Sequence, residues 1–152
     1  MTSEGGGTTQ AGDAAANRAD AVELVAMMPF AGLVGIEVAA AGPAEVRGRL
    51  RWATERCTGG DVLHGGALMT LADTLGAVCA FFNLPPGAST ATIESKTNFF
   101  RAVSGGTVTA VSRPLHVGRT TIVVQTDLTD DDGRRVAQVT QTQAVLQTQA
   151  VL

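Results

Sequence analysis

Hydrophobic and polar positions alternate most strictly around residue 48. Val46, Gly48, Leu50 and Trp52 interleave with Glu45, Arg47, Arg49 and Arg51, a period of two that predicts a strand with one wet face. Residues 65–82 show the opposite pattern. Only Thr70, Asp73 and Thr74 carry polar side chains there, and the run predicts a long helix closed by Asn83 and the Pro85-Pro86-Gly87 break. Four strands are predicted beyond it, over residues 89–100, 106–115, 119–129 and 134–146. Gly105-Gly106, His116-Val117-Gly118 and the hairpin signal Asp132-Gly133 supply their turns.

The N-terminal third is less regular. Residues 1–19 are Gly, Thr, Ala and polar residues without periodicity and read as a disordered leader. Ala21, Leu24, Val25 and Met28 then recur at helical spacing, which predicts a helix over residues 20–28 with Asp20 as its N-cap and Pro29 as its stop. A first strand follows over residues 36–41, turned by Gly42-Pro43. Residues 54–63 read as a glycine-rich loop. At the other end, Gln141-Thr142-Gln143-Ala144-Val145-Leu146 recurs as residues 147–152, a tandem duplication whose second copy is either dispensable or a strand extension.

One nearly all-apolar helix among antiparallel-type strands must be covered on most sides. The expected architecture is therefore α+β, an antiparallel sheet of five to six strands wrapped around one central helix. Residues 20–146 form the single domain, between the leader and a duplicated tail at 147–152. Composition narrows the class. With 152 residues, 45% apolar content and a net charge of −3, the chain reads as one soluble domain. No basic block points to nucleic acid, and the longest apolar run, interrupted by Asp73, is short for a membrane span. Cys57 and Cys79 make neither a disulfide framework nor a metal pattern. A cytoplasmic protein without a metal or other cofactor is expected.

The candidate chemistry lies at the start and middle of the long helix. A lone carboxylate such as Asp73 in an apolar run is costly to bury unless hydrogen-bonded, paired or used. Gly65 and Gly66 allow close approach to backbone N–H groups, which at a helix start have no internal partner and can hold an oxyanion. His64 can anchor the loop or donate a proton, and Asp73 can act as a general base or a nucleophile. Eight residues of helix separate Gly65 from Asp73, about 12 Å of rise. One small reacting centre does not readily touch both within one chain. A shared reaction therefore requires Asp73 to face the helix start of a second copy across a two-fold axis.

The run His64-Gly65-Gly66-Ala67-Leu68-Met69-Thr70-Leu71-Ala72-Asp73, followed by a strand into Thr97-Asn98-Phe99-Phe100-Arg101-Ala102, resembles the hotdog-fold acyl-CoA thioesterases. The branch named for the phenylacetate-degradation thioesterase (PaaI-like) is the most similar. The resemblance implies a double-hotdog homodimer, often a homotetramer, acting on acyl- or aryl-CoA. It implies that Asp73 is the base or nucleophile, that Gly65 N–H binds the oxyanion, and that His64 orients the loop. Gly66 and the hydroxyls of Thr90 and Thr92 would line the site. The family often carries Asn six residues before the histidine. Thr58 stands there, beside a shifted glycine placement at Gly59-Gly60-Asp61. Coenzyme A, present only as part of the substrate, brings phosphates for which Arg101, His116 and Arg119 are the cationic candidates.

Simpler roles compete at each position. Asp73 could be a carboxylate satisfied by Thr70 and Thr74, and the glycine pair could merely turn the chain. Arg47, Arg49 and Arg51 read as a solvated strand face, Cys57 and Cys79 as inert thiols. Phe81, Phe82, Phe99 and Phe100 read as core or pocket wall. A non-catalytic acyl-CoA binding or sensing domain is the rival function. A hydratase would want a histidine later in the helix than Asp73, and none is there.

Overall fold

The computed structural model describes residues 7–147. Its elements are helices α1 (Gly7–Ala26), α2 (Pro29–Val34) and α3 (Gly65–Phe81), and strands β1 (Glu37–Ala40), β2 (Val46–Arg51), β3 (Cys57–Thr58), β4 (Val62–Leu63), β5 (Ala88–Phe99), β6 (Thr107–Val117), β7 (Thr121–Thr129) and β8 (Arg135–Gln147). Six strands form one antiparallel sheet in the order β1-β2-β6-β7-β8-β5, and β3 and β4 pair as a separate short hairpin. The alternation around residue 48 does what it predicts: Val46, Gly48 and Leu50 face inward while Arg47, Arg49 and Arg51 stay exposed. Helix α3 lies across the inner face. Leu68, Leu71, Leu75 and Val78 pack against Val108, Ile122, Val124, Leu128 and Val139, all buried. At Gly48 a Cβ would come within 2.8 Å of Leu75, so glycine lets the helix approach the sheet there.

Two readings of the N-terminal region need correction. Helix α1 runs through most of the stretch expected to be a disordered leader, and Asp20 lies inside it rather than capping it. Ala14-Ala15-Ala16 are the strongest helix formers, and Ala21 and Val25 dock α1 onto the sheet as buried residues. Arg18 adds a hydrogen bond from Nε to the carbonyl of Ala39 at 3.1 Å. Pro29 stands three residues beyond the end of α1 and opens α2, where a missing N–H costs nothing. Residues 1–6 and 148–152 lie outside the described residues, and with them most of the second hexapeptide copy.

Strand β5 shapes the site more than any other element. It occupies a sheet edge, paired only with β8, and most of its residues are exposed. Its register against β8 slips between Thr92 and Glu94, a bulge at Ile93. The bulge puts Thr92, opposite Gln143, and Ser95, opposite Gln141, on the same inner face. Phe81, Phe99 and Phe100, read from the sequence as core or pocket wall, are about half exposed along this open side. Burial by the sheet stops at its edge, so each ring keeps about half of its surface exposed.

Candidate active site

Helix α3 is covered on three sides and open on one. Gly66, Thr70, Asp73, Ala77 and Phe81 follow each other at spacings of three and four, with Met69 beside Thr70, along the stripe the sheet leaves uncovered. Asp73 is therefore exposed on this chain, not buried in its core as the apolar run suggests. A helix apolar all round does not show in its sequence which stripe will lack a cover.

The helix start is built around His64. Its Nδ1 accepts the N–H of Gly66 at 2.8 Å, making the imidazole the N-cap of α3, and its own N–H donates to the carbonyl of Arg56 at 2.9 Å. With Nδ1 an acceptor, Nε2 carries the ring proton and is free to donate. A Cβ on Gly66 would lie 2.9 Å from that Nδ1, so the glycine admits the capping ring. A Cβ on Gly65 would lie 3.0 Å from the Phe99 ring. Both glycines thus serve close approach by side chains of this same chain. The N–H of Gly65 finds no acceptor among the described residues and stands at the positive end of the helix.

Three clefts flank these groups. One of about 600 Å³ is lined by Phe30, Leu33, Cys57, His64, Gly66 and Thr70, among others. A second, about 480 Å³, contains Asp73 with Met28, Phe30, Met69, Thr70, Thr92 and Ser95. The third, about 440 Å³, joins Gly65 to Phe99, Phe100 and Arg101. Phe30 and Thr70 wall both of the first two. Gly65 and Asp73 share no cleft.

Asp73 is held from one side. Thr92 donates its hydroxyl to Oδ1 at 3.1 Å, and Gln141 Nε2 approaches both Oδ1 and the Asp73 carbonyl at 3.4 Å. Behind them, Gln143 Nε2 donates to Thr92 Oγ1 at 2.8 Å, and Thr90 Oγ1 lies 3.0 Å from Gln143 Oε1. Gln141 and Gln143 are completely buried. Sequence reasoning passed over both, along with Ser95. Their sign was there: they occupy inward positions of a strand, in phase with Val139 and Val145, where an apolar residue belongs.

The remaining candidates are scattered. Thr58 is exposed on β3 and lines none of the three clefts; its neighbour Cys57 does. Partial burial pushes the Cys57 thiol up, and the charges of Asp61 and Glu55 push it further, so it stays protonated and unsuited to attack. Its Sγ donates to the carbonyl of Ala53 at 3.3 Å. Arg101 stands at the Gly65 end of β5. His116 and Arg119 belong to the opposite end, where Val145 N–H meets the carbonyl of Thr120 beside Thr90. Within one chain these cations do not converge. Among the described residues no group of three or more His, Cys, Asp or Glu side chains is placed to hold a metal ion, and no helix is long and apolar enough to cross a membrane.

A hotdog sheet wrapped on a helix that starts His-Gly-Gly and carries a carboxylate nine residues after the histidine defines a protein class. Residues 60–137 match the Thioesterase superfamily model, and the chain belongs to that family. The matched segment includes His64 through Arg119, begins after Thr58 and ends before Gln141. The chain is 38% identical over 74 residues to the proofreading thioesterase EntH of Cronobacter sakazakii, covering 49% of this chain and 54% of that protein. It spans about half the length of the first relatives it matches. A solved mutant of thioesterase PA1618 from Pseudomonas aeruginosa superposes with a TM-score of 0.77 at 29% identity, over 82% of this chain and 91% of that one. Thioesterase HI1161 of Haemophilus influenzae gives 0.74 at 26% identity, over 78% and 82%.

Proposed function

We propose that this protein hydrolyses acyl- or aryl-CoA thioesters to the free acid and coenzyme A, at sites that two copies of the chain build together. The observation that carries the reading is the division of labour along β5. Asp73 is held at Thr92, Gly65 packs on Phe99, and the two groups open into separate clefts. An antiparallel pairing of two β5 edges about a two-fold axis at Lys96, with the bulge at Ile93 adding one residue, sets Thr92 of one copy opposite Phe99 of the other. Asp73 then faces the second copy's Gly65, and Arg101 of that copy comes to the same end of the sheet as Arg119 of the first.

The chemistry follows from the groups. The thioester carbonyl oxygen accepts the free N–H of Gly65, which with the helix dipole stabilises the charge that develops on attack. Asp73 takes a proton from water as the water oxygen bonds to the carbonyl carbon, or bonds to that carbon itself. Collapse re-forms the carbonyl, breaks the C–S bond and expels coenzyme A as a thiolate that then takes up a proton; in the direct route, water next cleaves the anhydride. His64 Nε2–H is a second donor at the helix start. The apolar lining of the Asp73 cleft by Met28, Phe30, Ala31 and Met69 fits a hydrocarbon or aromatic acyl group. Membership of the thioesterase family and a relative named for thioester proofreading support hydrolysis over mere binding.

The test is thiol release from acetyl-, hexanoyl-, decanoyl-, benzoyl- and phenylacetyl-CoA by the original chain and by Asp73→Asn. Turnover of at least one thioester, reduced at least a hundredfold by the substitution, is expected on the scale of losing a catalytic base. Equal turnover by both proteins contradicts the role of Asp73. Thermal stabilisation by these thioesters without any thiol release supports the rival binding function.

A further inference from the structure

We infer that Gln143 and Gln141 are positioning residues, which fix one carboxylate oxygen of Asp73 and leave the other as the reactive one. The inference rests on the thioesterase reading for its kinetic consequence, and on hydrogen-bond directions alone for its structural one. Gln143 Nε2 donates to Thr92 Oγ1. The Thr92 hydroxyl has a single proton, and beside it stands a carboxylate oxygen that can only accept, so the proton goes to Asp73 Oδ1. A reversed Gln143 amide would give Thr92 two acceptors and one proton. This orientation leaves Gln143 Oε1 3.0 Å from Thr90 Oγ1, whose hydroxyl also has the carbonyl of Ala144 at 2.9 Å. Each link therefore runs one way, from Gln143 through Thr92 to Asp73. Gln141 Nε2 adds a longer contact to the same oxygen. Asp73 Oδ2 has no partner among the described residues and belongs to a group that opens into the cleft of about 480 Å³.

Two local penalties converge on this arrangement. Gln141 Oε1 is buried without a partner, a cost that an apolar residue in that position would avoid. Gly76 weakens helix α3 relative to alanine, yet a Cβ there would come within 2.3 Å of Gln141 Oε1, so the glycine makes the space Gln141 occupies. A sheet–helix contact selected for stability alone would fill these sites with a valine and an alanine. The two glutamines instead place amide donors below a carboxylate.

The experiment is a double-substitution cycle on the full chain with benzoyl-CoA and hexanoyl-CoA, paired with crystal structures. Gln143→Leu is expected to lower kcat about tenfold with KM changed less than about twofold, the scale of one charge-assisted hydrogen bond. In a Thr92→Val background the same change should lower kcat less than about twofold, because the link it acts through is already gone. Thr92→Ser, which keeps the hydroxyl, should recover most of what Thr92→Val loses. Gln143→Met serves where the leucine variant does not fold. Equal falls of kcat in both backgrounds, or none in the first, overturn the inference while Asp73→Asn still abolishes turnover. In the crystal structure of Gln143→Leu, the Asp73 carboxylate is expected in more than one orientation. A carboxylate unmoved from its place overturns the inference by itself, in a chain with or without turnover.

Discussion

Thr92 Oγ1 lies 3.1 Å from Asp73 Oδ1, joining the edge strand to the open stripe of the central helix across 19 residues of sequence. Seven residues further along the same strand, the Phe99 ring rests against Gly65. The helix start and the carboxylate thus occupy two stations along one edge strand. In the proposed reaction an assembly of two copies is part of the chemistry, because pairing the strand with itself would bring the unlike stations together.

Gly76→Ala probes the packing beneath Asp73. The added methyl meets Gln141, at a cost of about 1–3 kcal/mol for overpacking, and removes a helix-interior glycine, a gain of about 1 kcal/mol. Denaturant unfolding should show a net loss of about 1 kcal/mol. Turnover of benzoyl-CoA should fall as well, since Gln141 must leave Asp73 to make room. Unchanged kcat with Gln141 displaced in a crystal structure would contradict its part in holding the carboxylate.

Asp61 is the described non-glycine residue with positive φ, at 56°, and its carbonyl accepts Trp52 Nε1 at 2.9 Å. A left-handed conformation costs an L-residue about 1–2 kcal/mol, and a glycine costs about 0.4–1 kcal/mol more chain entropy on folding. The two effects nearly cancel, so Asp61→Gly should unfold within about 1 kcal/mol of the original. Asp61→Val, β-branched, should lose about 2 kcal/mol or more. Thermal or denaturant unfolding of the two variants checks the order, and equal stabilities would contradict it.

Burial pushes the Cys79 thiol up to about 12, and the charge of Glu45 adds to the effect. The fold therefore favours the protonated thiol. Below the ordinary thiol value of about 8.5 both folded and unfolded chains hold the proton, and Cys79 contributes no pH dependence. Above it the unfolded chain releases its proton first, so stability falls as pH rises toward 12. The drop in Tm between pH 8 and pH 10 should be smaller in Cys79→Val than in the original chain. An identical drop would contradict the burial effect. Iodoacetamide at pH 8 should leave Cys79 of the folded protein unmodified, as peptide mass spectrometry would show.

Much of this fold is written plainly in the chain. The alternation from Glu45 to Trp52 sets the inward face of β2, and the apolar run ended by Pro85-Pro86 sets α3 to within a residue. The His64-Gly65-Gly66 start and Asp73 were readable for the same reason: a polar residue inside an apolar period stands out. Other features depend on contacts between distant segments. Which stripe of α3 stays uncovered depends on where α2 and β5 end up, and no periodicity in α3 reports it. The bulge at Ile93 changes the spacing of inward side chains from two to three, so Thr92 and Ser95 share a face that strict alternation would divide. Gln141 and Gln143 were readable as polar residues in the core phase of β8, but only once that phase was assigned.

The central claim is that one site takes Asp73 from one copy and the Gly65 N–H from the other. Gly65→Pro removes that N–H at the first position of the helix, where proline is favoured, and His64 already holds the extended conformation, ψ 135, that a following proline requires. Each of Gly65→Pro and Asp73→Asn should be inactive alone. Co-expressed in equal amounts, they form mixed dimers in which one of the two sites has both groups intact. Thiol release should return to about a quarter of the original activity, half the dimers with one working site each. A mixture as inactive as its components would contradict the shared site.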